Sequence, residues 1–457
     1  MRLPVLLLSG LALALPATAN ALTLREALAR TWETNPRLAT VRESVRLLGE
    51  DVEVARALGR PSAGVTGRVN QSIDGLTRFD EGGRNLNVGV TGNLPLYRGG
   101  LISSSIRAAR EREEAGRYDL LTIENAIFLE AVRAYEDVRR DEAVVELNRS
   151  NVRVLEEQLR ASRDRFEVGD LTRTDVAQSQ ARLALARGLL RAAEANLIAS
   201  REAFARVVGA PPVDLQPPPP LGDLPATREA AVREALDSNP DLLAARAAER
   251  AAGEDIGVAR AARRPSVSAN ADAGYTNFLG SRDEALGLPS GTVNNDFSSA
   301  GVGVTLSVPL YQGGAPSARV RQAQIRRSQA MLDIANTERV VSEQATTALE
   351  NLEAARAIIA SAEEQVAASA LALEGVRAEN SVGLRTILDV LDAEQELLNA
   401  RVELVRARRD AYVAGFALLA ALGRANVRDL DLAVGEPAAP VVGPPAPRRA
   451  PATAPQG

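Results

Sequence analysis

The sequence predicts an α+β membrane protein built from a duplicated unit of helix, β-hairpin and long helix, with hairpins from several chains closing one barrel. Three observations carry the prediction. The chain repeats its landmarks at a nearly constant offset, four segments of about ten residues alternate with period two, and two very long helical stretches exceed what a globular core needs.

The duplication comes first. Asn35-Pro36 recurs as Asn239-Pro240 and Pro61 as Pro265, an offset of 204. Pro95-Leu96-Tyr97-Arg98-Gly99-Gly100 returns as Pro309-Leu310-Tyr311-Gln312-Gly313-Gly314, and Val168-Gly169 with Asp175-Val176 returns as Val382-Gly383 with Asp389-Val390, now at 214. The extra residues therefore fall between Pro265 and Pro309. The implied plan is a signal peptide over 1–21, a first repeat over 22–209, a Pro-rich linker over 210–225, a second repeat over 226–434 and a disordered tail over 435–457. Pro217-Pro218-Pro219-Pro220 cannot continue a helix, which marks the linker. At the start, Arg2, the apolar run Leu3 to Leu15 and the small residues Ala17-Thr18-Ala19-Asn20-Ala21 have the order of a secretory signal. That run is about 13 residues against the roughly 20 of a spanning helix, and no comparable run follows, so a bilayer crossing falls to strands.

The strands come from alternation. Leu86, Val88, Val90 and Leu94 alternate with Asn87, Gly89, Thr91 and Asn93, and Val302, Val304, Leu306 and Val308 with Gly301, Gly303, Thr305 and Ser307. Weaker partners start near Ala63 and Val267, giving hairpins at about 62–97 and 266–310. Pro95 and Pro309 end them, and Gly99-Gly100 and Gly313-Gly314 supply the backbone freedom to redirect a strand into a helix. A half-buried strand of a soluble sheet alternates in the same way. Secretion without a helical anchor favours a barrel with a wet lumen inside and apolar residues outside. Four strands do not close a barrel and open edges do not face lipid, so several chains share one wall.

Each hairpin precedes a helix of about 65 residues, roughly 100 Å long. The helices are expected over about 100–168, 173–208, 314–382 and 386–423. A seven-residue stripe runs through Val176, Ser179, Leu183, Ala186, Leu190, Ala193 and Leu197, echoed by Val390, Ala393, Leu397, Ala400, Leu404, Ala407 and Ala411. Leu alternating with small residues lets helices approach closely, as in the wall of a tube; an ordinary two-stranded coiled coil has the same stripe.

Composition removes other classes. The chain has no Cys and no His, which excludes disulfides, a lipoprotein anchor, thiolate or imidazole metal sites and His-based triads, and it has neither GxxxxGK[ST] nor a GxGxxG after a strand. No catalytic, cofactor or metal site is expected. Net charge is −5 with every basic residue an Arg spread along the helices, so nucleic acid is not an expected partner. Aromatic residues are only 3%, as in long helices rather than a bulky core.

The duplication, the two PLY-x-GG junctions, and the segments Val168-Gly169-Asp170-Leu171-Thr172-Arg173-Thr174-Asp175-Val176 and Val382-Gly383-Leu384-Arg385-Thr386-Ile387-Leu388-Asp389-Val390 resemble the TolC-type outer-membrane efflux proteins, the outer membrane factors, from Leu22 to about Leu432. The resemblance implies a homotrimer with a twelve-stranded outer-membrane β-barrel continued by a periplasmic α-helical coiled-coil tunnel closed at its tip. It implies a passive exit channel of a tripartite efflux pump, a type I secretion system or both, in the outer membrane of a Gram-negative bacterium. Its partners would be outer-membrane lipid, a periplasmic adaptor (membrane fusion) protein and an inner-membrane transporter of RND or ABC type. The alternative is a soluble periplasmic coiled-coil adaptor, which shares the helices but not the hairpins.

Asp389 and Asp392 share a face at the start of a helix, where their charge suits the positive helix end. Threefold symmetry would gather their carboxylates into an acidic pore constriction that favours cations; helix capping explains the same residues without a pore. The resemblance further implies a tip-gating network of Thr174, Asp175 and Arg385, with Asn380 standing where the best-known members have a tyrosine. Gly169, Leu171, Gly383 and Leu384 mark the turns where the adaptor would dock.

Overall fold

The computed structural model describes residues 22–71, 84–279, 283 and 287–435. The expected signal peptide at 1–21 lies outside them, as does the expected tail apart from Gly435. The element order is α1 (Leu24–Thr34), α2 (Pro36–Ala57), β1 (Ser62–Gln71), β2 (Arg84–Arg98), α3 (Leu101–Glu167), α4 (Arg173–Val208), α5 (Arg228–Ser238), α6 (Pro240–Ala261), β3 (Ser266–Asn277), β4 (Asp296–Ser307), α7 (Ala315–Ser381) and α8 (Ile387–Ala421). The same six-element pattern thus occurs twice. The long helices α3 and α7 each have 67 residues, about 100 Å at 1.5 Å per residue. Pro316 falls in the first turn of α7, where its missing N–H removes no helical bond. The repeated Asn-Pro pairs also have a local cause. Asn35 Oδ1 accepts from the Arg37 N–H at 3.0 Å and Asn239 Oδ1 from the Asp241 N–H at 2.9 Å, so each Asn caps the helix that its Pro begins.

Two compact units form, and each takes segments from both repeats: one from Met1–Ala39, Glu124–Arg233 and Gln344–Gly457, the other from Thr40–Ile123 and Glu234–Glu343. In the second unit the four strands make one antiparallel sheet in the order β1-β2-β3-β4. Its register sorts the side chains. Val65 faces Val90, which faces Ala273, while Val88 faces Tyr275 and Ala271 faces Val302. One face is therefore Ala63, Val65, Val69, Leu86, Val88, Val90, Leu94, Val267, Ala269, Ala271, Ala273, Tyr275, Val302, Val304 and Leu306. The opposite face carries Thr66, Arg68, Asn87, Thr91, Asn93, Asn270, Asp272, Thr276, Ser299 and Thr305. Polar pairs cross it: Asn270 Nδ2 donates to Thr305 Oγ1 and Thr276 Oγ1 to Asn87 Oδ1, both at 2.7 Å. The apolar face is open, with Val302 89% and Val65 73% exposed. A register shift between Pro95 and Tyr97 absorbs the proline that cannot donate to the ladder.

At the strand-to-helix junctions Gly99, Gly100, Gly313 and Gly314 all have positive φ, at 62°, 89°, 59° and 78°. Their surroundings differ. A Cβ on Gly99 would lie 2.7 Å from the Arg264 Cβ and 2.9 Å from the Ala261 carbonyl, whereas one on Gly313 would meet nothing within 4 Å. Arg264 also donates from Nη1 to the Gly99 carbonyl at 3.0 Å, locking the first junction to the end of α6.

Between β3 and β4, Asp283 is 2% exposed and accepts from the Gly291 N–H, the Val293 N–H and Asn295 Nδ2, each at 2.9 Å. These donors hold its carboxyl below the usual carboxylate range. Because the folded value lies below the unfolded one, the contribution is present above the ordinary Asp value of about 4 and fades as pH falls through the folded value. Segment 287–295 is accordingly expected to resist a neutral protease at pH 7 and to become a pepsin substrate only below about pH 4. D283N should be cut there at pH 7, since an amide places N–H against N–H. Mass spectrometry of the fragments checks this; a D283N protein as resistant at pH 7 as the native chain refutes it.

In the first unit, Leu24 and Leu28 of α1, Phe128, Val132 and Tyr135 of α3, Phe204 and Val208 of α4, and Val413 and Phe416 of α8 form one buried cluster. Tyr135 stacks obliquely on Phe204 with centroids 6.2 Å apart, and its hydroxyl lies 2.9 Å from the Leu22 carbonyl and 2.6 Å from that of Gln216. The linker is fastened further by Tyr412 Oη donating to the Pro219 carbonyl and Arg424 Nη1 to that of Asp223, both at 3.1 Å. Leu221 fills the notch left by Gly415. A second cluster joins Val152, Leu155 and Leu159 of α3, Leu183 and Ala186 of α4, Leu373 of α7, and Ile387, Val390, Leu391 and Leu397 of α8. Leu183, Ala186, Val390 and Leu397 are positions of the seven-residue stripe, and burial every third or fourth residue is why the stripe exists.

Candidate functional site

The second cluster ends at two turns, 168–172 between α3 and α4 and 382–386 between α7 and α8. They are built alike. Gly169 and Gly383 have φ of 84° and 79°, and the next N–H, of Asp170 or Leu384, closes back on the carbonyl of Arg165 or Glu379 at 2.8 or 2.9 Å. This left-handed helix ending suits glycine because a Cβ is strained at positive φ. The next helix starts with a capping box. Asp175 accepts from the Thr172 N–H at 2.9 Å and its own N–H donates to Thr172 Oγ1 at 3.3 Å, and Asp389 repeats both distances with Thr386.

The charges differ between the turns. In the first, Arg165 Nε pairs with Asp170 at 3.2 Å. In the second, Arg385 Nε pairs with Glu379 at 2.8 Å, Asn380 Nδ2 donates to the Arg385 carbonyl at 2.8 Å, and Arg385 Nη1 lies 4.0 Å from Asp389. The Thr386 hydroxyl and backbone N–H, with Arg385 behind them, hold the Asp389 carboxyl below its usual range. Asp392 forms an ion pair with Arg182 of α4. Two residues further along α8, the buried Glu394 is held by Arg377 of α7 at 2.8 Å.

Within one chain, then, the expected gating residues divide. Asn380 and Arg385 are joined, Asp175 is occupied by its own cap, and Thr174 is exposed in the first turn of α4. Asp389 likewise serves its own helix start, as its twin Asp175 does. Gly169 and Gly383 have open space around them, Leu171 is half-buried, and Val168, Val382 and Leu384 stand 80%, 70% and 77% exposed. Sequence reasoning missed Thr172 and Thr386, although Thr-x-x-Asp ahead of a helix was readable as a capping box at both turns. It also missed Glu379, Arg182, Arg377 and Glu394, whose roles depend on which helices become neighbours.

Residues 26–210 and 231–424, covering the hairpins and all four long helices, match the family model of the outer membrane efflux protein. The chain belongs to the outer membrane efflux protein family. Among its relatives, the outer membrane efflux protein BepC of Brucella suis is 34% identical over 91% of this chain and 88% of its own length. The outer membrane protein TolC of Vibrio cholerae is 30% identical over 87% of this chain and 90% of its own. The crystal structure of the Vibrio cholerae outer membrane protein VceC superposes with a TM-score of 0.71 at 21% identity, covering 88% of this chain and 96% of that one, which speaks to the fold alone. This efflux protein is thus an outer-membrane exit channel that extends into the periplasm, of the kind that serves efflux and secretion. The soluble-adaptor alternative falls, because the family match runs through the hairpins as well as the helices.

Proposed function

We infer that the efflux protein works as a homotrimeric passive duct, with its barrel wall in outer-membrane lipid and its two helical turns docked on a periplasmic adaptor that couples it to an RND or ABC transporter. The sheet carries this reading. One face is apolar and exposed, the other is lined by Asn, Thr, Ser, Arg68 and Asp272, and neither β1 nor β4 has an outer neighbour among the described residues. Such a sheet satisfies its backbone in lipid only by joining edges with further copies. Three copies give twelve strands, enough to leave an aqueous lumen.

The duct holds no energy source of its own, so drive and cargo choice come from the inner-membrane partner. Val168, Val382 and Leu384 around Gly169 and Gly383 offer small apolar knobs on open turns, the chemistry an adaptor's helical ends would grip. Asp389 and Asp392 form the narrowest ring, and Thr174, Asp175, Asn380 and Arg385 regulate it across neighbouring copies. Detergent-purified protein is expected to run at three chain masses and to open pores in planar bilayers. D389N/D392N should move the reversal potential in a salt gradient, and R385A should raise the open conductance. A monomer that conducts nothing ends this reading.

A further inference from the structure

The two repeats carry identical capping boxes but different charges one turn further in. At the offset of 214, Asp389 has a twin in Asp175, while Asp392 corresponds to Gln178 and Arg182 to Glu396. The structure joins these two unmatched residues: Arg182 Nη2 meets Asp392 Oδ1, linking α4 of the first repeat to α8 of the second. Their neighbours Leu183 and Leu391 are both buried in the same apolar seam, which fixes the backbone on each side of the pair. The pair itself sits at the rim, with the Arg182 side chain 33% and the Asp392 side chain 56% exposed.

Resting on the reading that Asp389 and Asp392 line the pore, we propose that Arg182 is the specificity-determining counter-charge of the constriction, holding Asp392 in a cross-repeat ion pair and cancelling its field on permeating ions. A partly exposed pair contributes little to stability. Its effect on ions is larger, because charges at a narrow, poorly screened constriction act on every ion that passes. Arg385 lies 4.0 Å from Asp389 but pairs more closely with Glu379, at 2.8 Å, so Arg182 is the guanidinium that directly meets a carboxylate of the ring. A trimer therefore presents a ring in which the three Asp392 charges are countered, rather than one of six free carboxylates.

The test is the K⁺-to-Cl⁻ permeability ratio of channels in planar bilayers, read from reversal potentials in a tenfold KCl gradient below about 0.1 M, where screening is weak. The native channel should be weakly selective. R182Q should raise the ratio about three- to tenfold as three unpaired carboxylates appear, and the rise should collapse at about 1 M salt. R182K should keep the native ratio, D392N should lower it, and R182Q/D392N, which removes the pair as a unit, should return it to near the native value. Should R182Q fail to assemble, R182K, D392N and the double variant still decide the matter. An R182Q ratio equal to the native one, or a double variant identical to D392N, with D392N itself shifted, overturns the role of Arg182 and leaves the constriction standing. If neither D389N nor D392N moves the ratio, the constriction reading falls and this proposal with it.

Discussion

Replacing Val302 with Arg is expected to destabilise the inserted protein by about 2–4 kcal/mol per chain, the cost of a guanidinium at mid-depth on a lipid-facing strand. Val302 sits midway along β4, opposite Ala271, and is almost fully exposed on the apolar face. Ser299, three residues away, points to the opposite face, so S299R puts the same charge on the polar side, one same-face pair along from Asp272 of β3, in water. The expected result is loss of the assembled, heat-resistant species and a lower urea midpoint in vesicles for V302R, with S299R near native on both. Equal damage from the two variants would mean that the faces are not divided between lipid and lumen.

The second large effect concerns the junctions. G99A is expected to cost about 3 kcal/mol, combining the left-handed backbone with overlap against a neighbour. The new Cβ would press on the Ala261 carbonyl, which is helix backbone and cannot rotate away, as well as on the Arg264 Cβ. G313A meets only the backbone term and should cost about 1 kcal/mol. Chemical unfolding of the two single variants checks the difference. Matching costs would show that Arg264 and Ala261 do not clamp the first junction.

Much of this architecture could be read before any coordinates, because the signals are local. Period two marks a strand wherever one face must be apolar, and here Val88, Val90, Val302 and Val304 alternate cleanly with Gly, Asn and Thr. The Asn-Pro and Val-Gly landmarks are helix starts and stops, so they recur wherever the unit recurs. What stayed hidden depends on distant partners. Asp283 gains meaning only when its loop returns Gly291, Val293 and Asn295 to it. Arg182 is one of many arginines until the fold brings it to Asp392, 210 positions away. The acidic residues at the second turn were legible as charged, but sequence alone left open whether Asp389 faces a pore or its own helix start. Within the chain it bonds the Thr386 hydroxyl and N–H.

The cluster that includes Leu24, Phe128, Phe204, Val413 and Leu432 takes its members from the first, the middle and the last of the described helices and from the segment after it. The closing segments add their own ties, Val427 N–H to Glu124 at 2.6 Å and Gly435 N–H to Glu33 at 2.8 Å. A chain emerging in order from a translocation pore therefore cannot complete this core until its final helix has arrived. During export, α1 and the first long helix must wait with their apolar sides uncovered, so holding chaperones have their greatest effect in that interval.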